Sequence, residues 1–414
     1  MVTVNELFAG IGAFRKALIR LNIEHEIVGM SEIDRHAIAS YEAIYGKTRN
    51  YGDISKVSLL DYADLWTYGF PCQDLSLAGN QAGMVKGKAR SGLLYEVQRL
   101  LAMAALYDTL PKYLILENVK NLVGKKFIAD FESWLGWLDG VGYNSYWQVI
   151  NAADYGMAQK RERERVIAVS IRKDVDTGFV FPSPIPLEKL FIDYLEDDVD
   201  EKYFLSNEGF EYLRKHGEEC KEKGLGFRFE PVERERDYER VKLSPQDPTE
   251  RRAITLMKDC KQIGKLTGKK WDKFESNARV YSPYGLCPTL TTIGGGHRQV
   301  KIIVHEKTAK GYAEAEIGDS INISYPTSAA RRGRVGKGVA HTLMTNHSNE
   351  LAVTKSGVRK LTPREYWRLM GFDDEDFDKA KEVSSDTQLY KQAGNSIVVN
   401  VLEAVLGQLL GGAE

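Results

Sequence analysis

The chain has 414 residues, enough for a large core and a second lobe, because a single hydrophobic core stops growing at roughly 250–300 residues. Its hydrophobic content of 43% and charged content of 28% are typical of a globular protein. The net charge of −1 excludes a uniformly basic nucleic-acid binder, so any phosphate contact must come from local basic segments.

Targeting signals and metal-ligand patterns are not recognisable in the sequence. No stretch approaches the roughly 20 apolar residues that a membrane span needs, and the N-terminus lacks the basic region and apolar run of a secretory signal. We therefore expect a cytoplasmic protein with no membrane partner. The four cysteines have neither Cys-x-x-Cys spacing nor a His-x-x-x-His companion, so no metal site is expected.

Strand-like and helix-like patterns alternate over the first 171 residues. Strands are predicted at residues 2–7, 26–30, 65–68, 113–116, 143–150 and 165–171, and helices at residues 14–21, 35–45, 93–106 and 127–138. This alternation predicts an α/β fold in which helices cover both faces of a mostly parallel sheet. Ligands bind such sheets at the carboxyl ends of the strands, where Gly10, Glu32, Cys72 and Glu117 would converge.

The middle of the chain has a different composition. No acidic residue occurs at positions 279–305 or 324–349, which contain Arg298, Arg331, Arg332 and Arg334. Short segments at 285–292 and 338–345 also share Gly, Thr, Leu and Thr in register. These features predict a smaller, irregular β-containing domain that binds phosphates or reads bases. The alternative is a set of turn-rich loops that merely lack acids.

The C-terminal region returns to helical patterns. Thr362, Pro363 and Glu365 have the order of an N-cap, a first-turn proline and a capping-box acid, so a helix is predicted to start there. A second apolar helix is predicted at residues 397–410, after Gly394-Asn395-Ser396. This polar turn would either cap the helix or line a cofactor pocket.

Several strand ends carry residues suited to ligand binding and covalent chemistry. Phe8-Ala9-Gly10-Ile11-Gly12 is a glycine turn that lets a ligand approach the backbone. Glu32 is placed to accept hydrogen bonds from ribose hydroxyls, and Asp53-Ile54 would offer a carboxylate and an apolar side chain to adenine. Gly69-Phe70-Pro71-Cys72-Gln73 and Glu117-Asn118-Val119 place a nucleophile and an acid at neighbouring strand ends.

Together these motifs resemble the cytosine-C5 DNA methyltransferases of the bacterial or phage, restriction-modification type. The resemblance covers almost the whole chain. In addition to the motifs above it includes Arg90-Ser91-Gly92-Leu93, Gln159-Lys160-Arg161-Glu162-Arg163, Arg359-Lys360-Leu361-Thr362-Pro363-Arg364-Glu365 and Gln392-Ala393-Gly394-Asn395-Ser396, all in the family's order.

The resemblance implies a Rossmann-like methyltransferase fold that binds S-adenosylmethionine as methyl donor. The cofactor-binding residues that it implies are Phe8, Ala9, Gly10, Ile11, Gly12, Glu32, Ile33, Asp53, Ile54, Pro71, Leu93, Asn395 and Ser396. It also implies that the Cys72 thiolate adds to carbon 6 of cytosine, so that carbon 5 can take the methyl group. Glu117, which burial would keep uncharged, would assist at ring N3.

Two different pairs of arginines fit the motif that is expected to hold the cytosine O2 and the target phosphate. Counting from Gln159 selects Arg161 and Arg163, whereas counting back from the following strand selects Arg163 and Arg165. All three share one face of a strand because side chains alternate with a period of two. Arg163 is selected by both counts, and the other assignment stays open.

The resemblance also implies the substrate and the domain division. Residues 1–184 and 355–414 would form the catalytic domain, and 185–354 the target-recognition domain of a monomer that flips a cytosine out of double-stranded DNA. Candidate DNA contacts are Gln73, Ser76, Asn118, Arg298, Arg331, Arg332 and Arg334. A cognate restriction endonuclease would be a natural partner. The alternatives are a transfer-RNA cytosine methyltransferase and a catalytically silent, sequence-specific DNA-binding regulator.

Overall fold

The computed structural model describes residues 1–71, 90–159, 165–203 and 357–411, together with short segments of the middle region. These segments are residues 234–235, 261–265, 279–281, 302–305, 312–315, 317–322, 334–341, 343 and 350–354. The chain divides into two compact units. Unit 1 contains Met1–Lys189, Thr342–His347 and Pro363–Glu414, and unit 2 contains Leu190–His341 and Ser348–Thr362. The predicted boundaries of the catalytic and target-recognition domains, after 184 and after 354, stay predictions.

Unit 1 contains six described strands and eight described α-helices. Its first part consists of β1 (Val2–Leu7), α1 (Ala13–Arg20), β2 (His25–Ser31), α2 (Arg35–Tyr45), β3 (Leu65–Tyr68), α3 (Leu94–Leu106), β4 (Tyr113–Val119), α4 (Ile128–Val141), β5 (Tyr143–Ile150) and β6 (Arg165–Arg172). After unit 2 the chain adds α5 (Pro363–Leu369), α6 (Asp374–Val383), α7 (Asp386–Asn395) and α8 (Val399–Leu410).

The six strands form one sheet in the order β2-β1-β3-β4-β6-β5. The pairs among β1, β2, β3 and β4 are parallel, whereas β6 is antiparallel to both β4 and β5. No α-helix lies in the described part of the link between β5 and β6, as expected for antiparallel neighbours that need no crossover helix. The sheet is therefore mostly parallel, as predicted, and β6 starts at the edge where the parallel strands end.

Both faces of the central strands are buried, which is why β3 and β4 are almost continuously apolar. On one face, Trp66 and Leu116 pack in a cluster with residues of α3 and α4, such as Leu101 and Phe131. Side chains of the opposite parity, such as Ile115, are also fully buried. The structure therefore confirms the predicted α/β fold, with a sheet covered on both sides.

The C-terminal helices return to the first part of unit 1. The helix α8 packs on α1, where Arg20 Nε lies 3.2 Å from Glu403 Oε1. The buried Lys16 contacts Asp373 and Asp376 at 2.6 and 2.7 Å. Burial alone would lower the pKa of Lys16, but these two carboxylates outweigh it and raise the pKa. The contact with α1 ties the end of the chain to the helix that follows the glycine turn.

No single helix in the described part of the chain is long and apolar enough to cross a bilayer. The bent pair formed by α7 and α8 has the length and composition of a membrane span.

Unit 2 contains short, antiparallel strands. The strands are β7 (Arg234–Glu235), β8 (Lys261–Lys265), β9 (Arg279–Tyr281), β10 (Ile302–His305), β11 (Tyr312–Ala315), β12 (Ser320–Asn322), β13 (Val335–Gly336), β14 (Glu350–Thr354) and β15 (Gly357–Lys360). In the described part of unit 2 they form sheets of three, two and four strands, the last in the order β13-β12-β14-β15. Buried Ile321 and Leu351 pair across this last sheet. The predicted irregular β-containing region is thus a set of small antiparallel sheets.

Candidate active site

The glycine turn after β1 presents an open side and a closed side. Phe8, Gly10 and Gly12 all have left-handed backbone, with φ of 59°, 56° and 78°. A Cβ on Gly10 would meet nothing within 4 Å, whereas one on Gly12 would lie 2.6 Å from the Tyr45 ring. Ile11 is buried. The turn therefore has room for a ligand at Gly10 and is packed against α2 at Gly12.

Glu32, at the end of β2, is brought to this turn by backbone hydrogen bonds. Its Oε2 accepts from the Gly10 N–H at 2.8 Å, and its Oε1 accepts from the N–H groups of Ile33 and Asp34, also at 2.8 Å. Phe8 and Ala9 donate to the carbonyl of Ser31 on the neighbouring strand. The carboxylate is thus fixed beside the open glycine, and Oε2, which accepts one of these bonds, keeps a lone pair for a further donor.

Asn50 is a site residue that the sequence reasoning missed. Its Oδ1 accepts from the N–H groups of Glu32 and Gly52, and its Nδ2 donates to the Glu32 carbonyl at 3.0 Å. The side chain therefore joins the end of β2 to the turn before Asp53. The available signal was an asparagine two residues before a glycine, which is typical of an Asx turn.

Asp53, Ile54 and Ile33 occupy different environments from one another. Asp53 Oδ1 caps the short 3₁₀ turn Ile54–Lys56 by accepting from Ser55 N and Oγ. The side chain of Ile54 is buried in the core, and its contact with adenine stays a prediction. Ile33, in contrast, is 73% exposed directly after Glu32. Its apolar side chain is therefore exposed beside the Glu32 carboxylate.

The second half of the site lies where β3 and β4 end. Asn118 is buried, donates from Nδ2 to the carbonyl of Phe70 at 3.1 Å, and accepts from the N–H of Val119. It ties the end of β4 to the Gly69-Phe70-Pro71 turn that leads to Cys72, as predicted for its role in fixing that turn. Because its amide is engaged inside the protein, its placement does not support the additional prediction of a DNA contact.

Glu117 points to the same turn and is paired with Arg165. A Cβ on Gly69 would lie 3.2 Å from Glu117 Oε2, so the missing side chain lets the carboxyl group approach the turn. Arg165 Nη1 lies 2.9 Å from Glu117 Oε1, and both side chains are largely buried. The sequence argument, which considered burial alone, left out this cation.

The ion pair between Glu117 and Arg165 leaves buried polar atoms without a hydrogen bond. The 2.9 Å contact between Nη1 and Oε1 joins opposite charges, and Oε1 still counts among the buried atoms that have no hydrogen-bond partner among the described residues. Among the described residues, Glu117 Oε1 and Arg165 Nε both lack a hydrogen-bond partner. Buried polar groups are nearly always paired, so such atoms at a strand edge suit a ligand that donates and accepts.

The antiparallel direction of β6 explains why Arg165 reaches Glu117. Arg165 begins β6 and pairs with Val119, the last residue of β4. Gln159, at the other end of the motif, is buried and donates from Nε2 to the carbonyl of Leu369. The described geometry therefore favours the count that includes Arg165 over the count that starts at Gln159.

The remaining predicted residues of unit 1 fall into three groups. Pro71 is half-buried in the turn, and Leu93 ends the short 3₁₀ helix Arg90–Leu93 and packs on the core. Asn395 is the exposed last residue of α7, and Ser396 caps that helix, so both lie at the end of α7 and α8 starts only at Val399. Cys72, Gln73, Ser76, Arg161 and Arg163 lie outside the described residues.

The α7 helix is attached to the segment that follows Glu32. Lys391 Nζ lies 2.7 Å from Asp34 Oδ2, and the Gln392 side chain donates to the His36 carbonyl and accepts from Ser40. Burial alone would raise the pKa of Asp34, but the Lys391 ammonium and the N–H groups at the start of α2 lower it. These contacts join α7, whose end carries Asn395 and Ser396, to the start of α2.

In unit 2 the structure corrects one predicted DNA contact. Arg334 is fully buried and donates from Nη1 to the Asn322 carbonyl, so it lacks the exposed guanidinium that a DNA contact requires. The reason is local: β13 follows it at once, and its side chain is used inside that sheet. Arg298, Arg331, Arg332 and the segment 285–292 lie outside the described residues.

Comparison with known proteins identifies the family. Residues 2–411 match the family described as C-5 cytosine-specific DNA methylase. The chain belongs to the C-5 cytosine-specific DNA methylase family. It is 32% identical to the orphan methyltransferase M.SPBetaI of Bacillus phage SPbeta, over 98% of this chain and 97% of that protein. It is 29% identical to the type II methyltransferase M2.ScrFI of Lactococcus lactis subsp. cremoris, over 99% of both chains.

Solved structures share the fold of this C-5 cytosine methylase. The crystal structure of the S. pombe Dnmt2 methyltransferase superposes with a TM-score of 0.54 at 16% identity, over 99% of both chains. At that identity the likeness concerns the fold alone. It agrees with the α/β methyltransferase architecture described above for unit 1.

Proposed function

We propose that this family member is a DNA (cytosine-5-)-methyltransferase that uses S-adenosylmethionine and methylates a flipped cytosine through a covalent Cys72 adduct. The observation that carries the proposal is the buried Glu117–Arg165 ion pair, beside the turn that leads to Cys72. Among the described residues, one polar atom on each of the two side chains has no hydrogen-bond partner. A pyrimidine ring has a donor–acceptor edge that would satisfy such atoms.

The donor half of the site fits an adenosyl ligand by three features of the described residues. Gly10 leaves an open space beside the backbone, Glu32 holds a carboxylate there, and Ile33 exposes an apolar side chain next to it. S-adenosylmethionine would supply the electrophilic methyl group that carbon 5 takes. Glu32 would bind the ribose hydroxyls and Ile33 the adenine face, with Asp53 and the end of α7 contributing further contacts.

The target half would act on the cytosine ring. The Cys72 thiolate would form a bond to carbon 6, and the electron pair of the carbon 5–carbon 6 double bond would make carbon 5 nucleophilic. Glu117 would hold ring N3, and Arg165 would stabilise the negative charge that develops toward O2. After methylation, loss of the carbon 5 proton to a base would restore the double bond and release Cys72.

The family and its relatives support a cellular setting, which we also propose. Double-stranded DNA is the substrate, the protein acts as a monomer in the bacterial cytoplasm, and residues 185–354 recognise the target sequence. M2.ScrFI is named a type II methyltransferase and M.SPBetaI an orphan methyltransferase. A restriction endonuclease of the same sequence specificity would be the partner in a type II setting.

Transfer of a labelled methyl group tests this proposal. The protein is incubated with methyl-labelled S-adenosylmethionine and either duplex DNA of mixed sequence or transfer RNA, and the nucleosides are identified by mass spectrometry. We expect 5-methylcytosine in DNA alone. Label in transfer RNA but not in DNA would overturn the DNA assignment, and Glu117→Gln serves as the control for chemistry by this site.

A further inference from the structure

A buried polar cluster lies on the closed side of the glycine turn, away from Gly10. Glu6, on β1, is 1% exposed and accepts from the Tyr41 hydroxyl through Oε2 and from the Arg15 N–H through Oε1, the latter at 3.1 Å. Arg15 Nη1 lies 3.4 Å from the Tyr41 hydroxyl. Three side chains from β1, α1 and α2 therefore meet behind the turn.

The cluster supplies the N-terminal cap that α1 lacks. Gly12 is the N-cap of α1 and has no side chain with which to accept a hydrogen bond. Glu6 accepts from the third N–H of that helix instead, through the bond to Arg15. Burial raises the pKa of Glu6, although the Tyr41 hydroxyl and Arg15 oppose that rise. The cap thus depends on Tyr41 to keep the buried carboxyl group bonded.

Tyr41 and its neighbour on α2, Tyr45, also pack directly against the glycine turn. The space that a Cβ would take at Gly12 is filled by the rings of Tyr41 and Tyr45, whose nearest atoms lie 2.7 and 2.6 Å from it. The Tyr45 hydroxyl donates to the Gly12 carbonyl at 3.0 Å, and the Arg15 guanidinium lies 4.9 Å from the centre of the Tyr45 ring. The left-handed turn is therefore held from behind by α2.

We propose that Tyr41 and Glu6 are positioning residues for the methyl donor, because they hold the glycine turn in the conformation that leaves Gly10 open. Neither residue reaches the open side, so they act through the turn. The inference rests on the proposed use of that turn for S-adenosylmethionine. It predicts an effect on donor affinity that is separate from target chemistry.

The test compares Tyr41→Phe with Tyr143→Phe. Both tyrosines are fully buried, but Tyr143 lies on β5, at the sheet edge opposite to β2, and its hydroxyl donates to the Pro111 carbonyl. We expect Tyr41→Phe to raise the Kd for S-adenosylmethionine about tenfold, which corresponds to ~1.4 kcal/mol. The KM for DNA and the kcat at saturating donor should stay within about twofold of wild type.

The measurements are donor affinity by calorimetry, steady-state kinetics with each substrate varied, and thermal unfolding. Donor Kd within twofold of wild type in Tyr41→Phe, or an equal rise in Tyr143→Phe, would overturn the inference. If Tyr41→Phe does not fold, Tyr45→Phe replaces it, with the same expectation and the same contradicting result. Failure of wild type to bind the donor would instead overturn the proposed function, so the two failures are distinguishable.

Discussion

The donor half and the target half of the site in unit 1 are built in opposite ways. Around Glu32 the polar groups are joined by hydrogen bonds to backbone, with Asn50 as the link. Around Glu117 the ion pair with Arg165 leaves two buried atoms without hydrogen bonds among the described residues. On the proposed function, the donor half would be prearranged and the target half would be completed by its ligand. Substitutions in the two halves should therefore separate affinity from chemistry.

The largest effect is expected for Glu117→Gln. An amide cannot supply the proton or charge that the ring needs, so kcat should fall roughly 10²–10⁴-fold, while donor Kd stays within about twofold. Single-turnover methyl transfer measures the first quantity and calorimetry the second. The matched control is Glu132→Gln, since Glu132 is an exposed carboxyl group on α4. Equal losses of donor affinity and rate would contradict the division into halves.

The next effect concerns the choice between Arg161 and Arg165. Lysine keeps the charge of Arg165 but loses the planar fork, so Arg165→Lys should lower kcat/KM for DNA about 10²-fold. Arg161→Lys should lower it less than tenfold. Both are measured by steady-state methyl transfer on one DNA substrate. A larger effect of Arg161→Lys would show that counting from Gln159 is right and that the ion pair at Arg165 is not used in catalysis.

A smaller effect is expected in the donor half for Asn50→Ala. Loss of the bonds to Glu32 and Gly52 loosens the end of β2, and the KM for S-adenosylmethionine should rise roughly fivefold at unchanged kcat. Asn50→Asp retains an acceptor and should show a smaller rise. An effect on kcat alone, with donor KM unchanged, would mean that Asn50 does not belong to the donor half.

The smallest effect on activity is expected at Asp64, far from the site, where β3 begins. Burial alone would raise the pKa of Asp64, but bonds from Lys112 and Thr3 outweigh it and lower the pKa well below the usual value. Its stabilising contribution is thus present above the unfolded pKa of ~3.9 and is lost as pH falls toward the native value. The unfolding free energy should therefore fall less between neutral and acid pH in Asp64→Asn than in wild type, and kcat should be unchanged. An equal fall in the variant and in wild type would contradict this.

The fold was largely predictable because its strands are short apolar runs with clear ends. The bounds of β1, β3, β5 and α2 agree with the prediction. The direction of β6 was not predicted, since an apolar pattern is the same in both directions. That direction is what brings Arg165 to Glu117 and so favours the count that includes Arg165.

The contacts between residues far apart in the sequence could not be predicted from the sequence. Asn50 and Tyr41 act through partners 18 and 35 residues away, and no local pattern marks such a bond. The burial of Ile54 and Arg334 likewise depends on which neighbours surround them in the folded chain. In both cases the residue type suggested a ligand contact, and packing assigned it to the interior.

Covalent trapping tests the central claim most directly. The protein is incubated with S-adenosylmethionine and duplex DNA that contains 5-fluorocytosine in many sequence contexts, because fluorine at carbon 5 cannot leave as the proton does. We predict a denaturation-resistant protein–DNA adduct that is absent in Cys72→Ser and strongly reduced in Glu117→Gln. No adduct on any DNA, with the protein folded and the donor bound, would contradict the account.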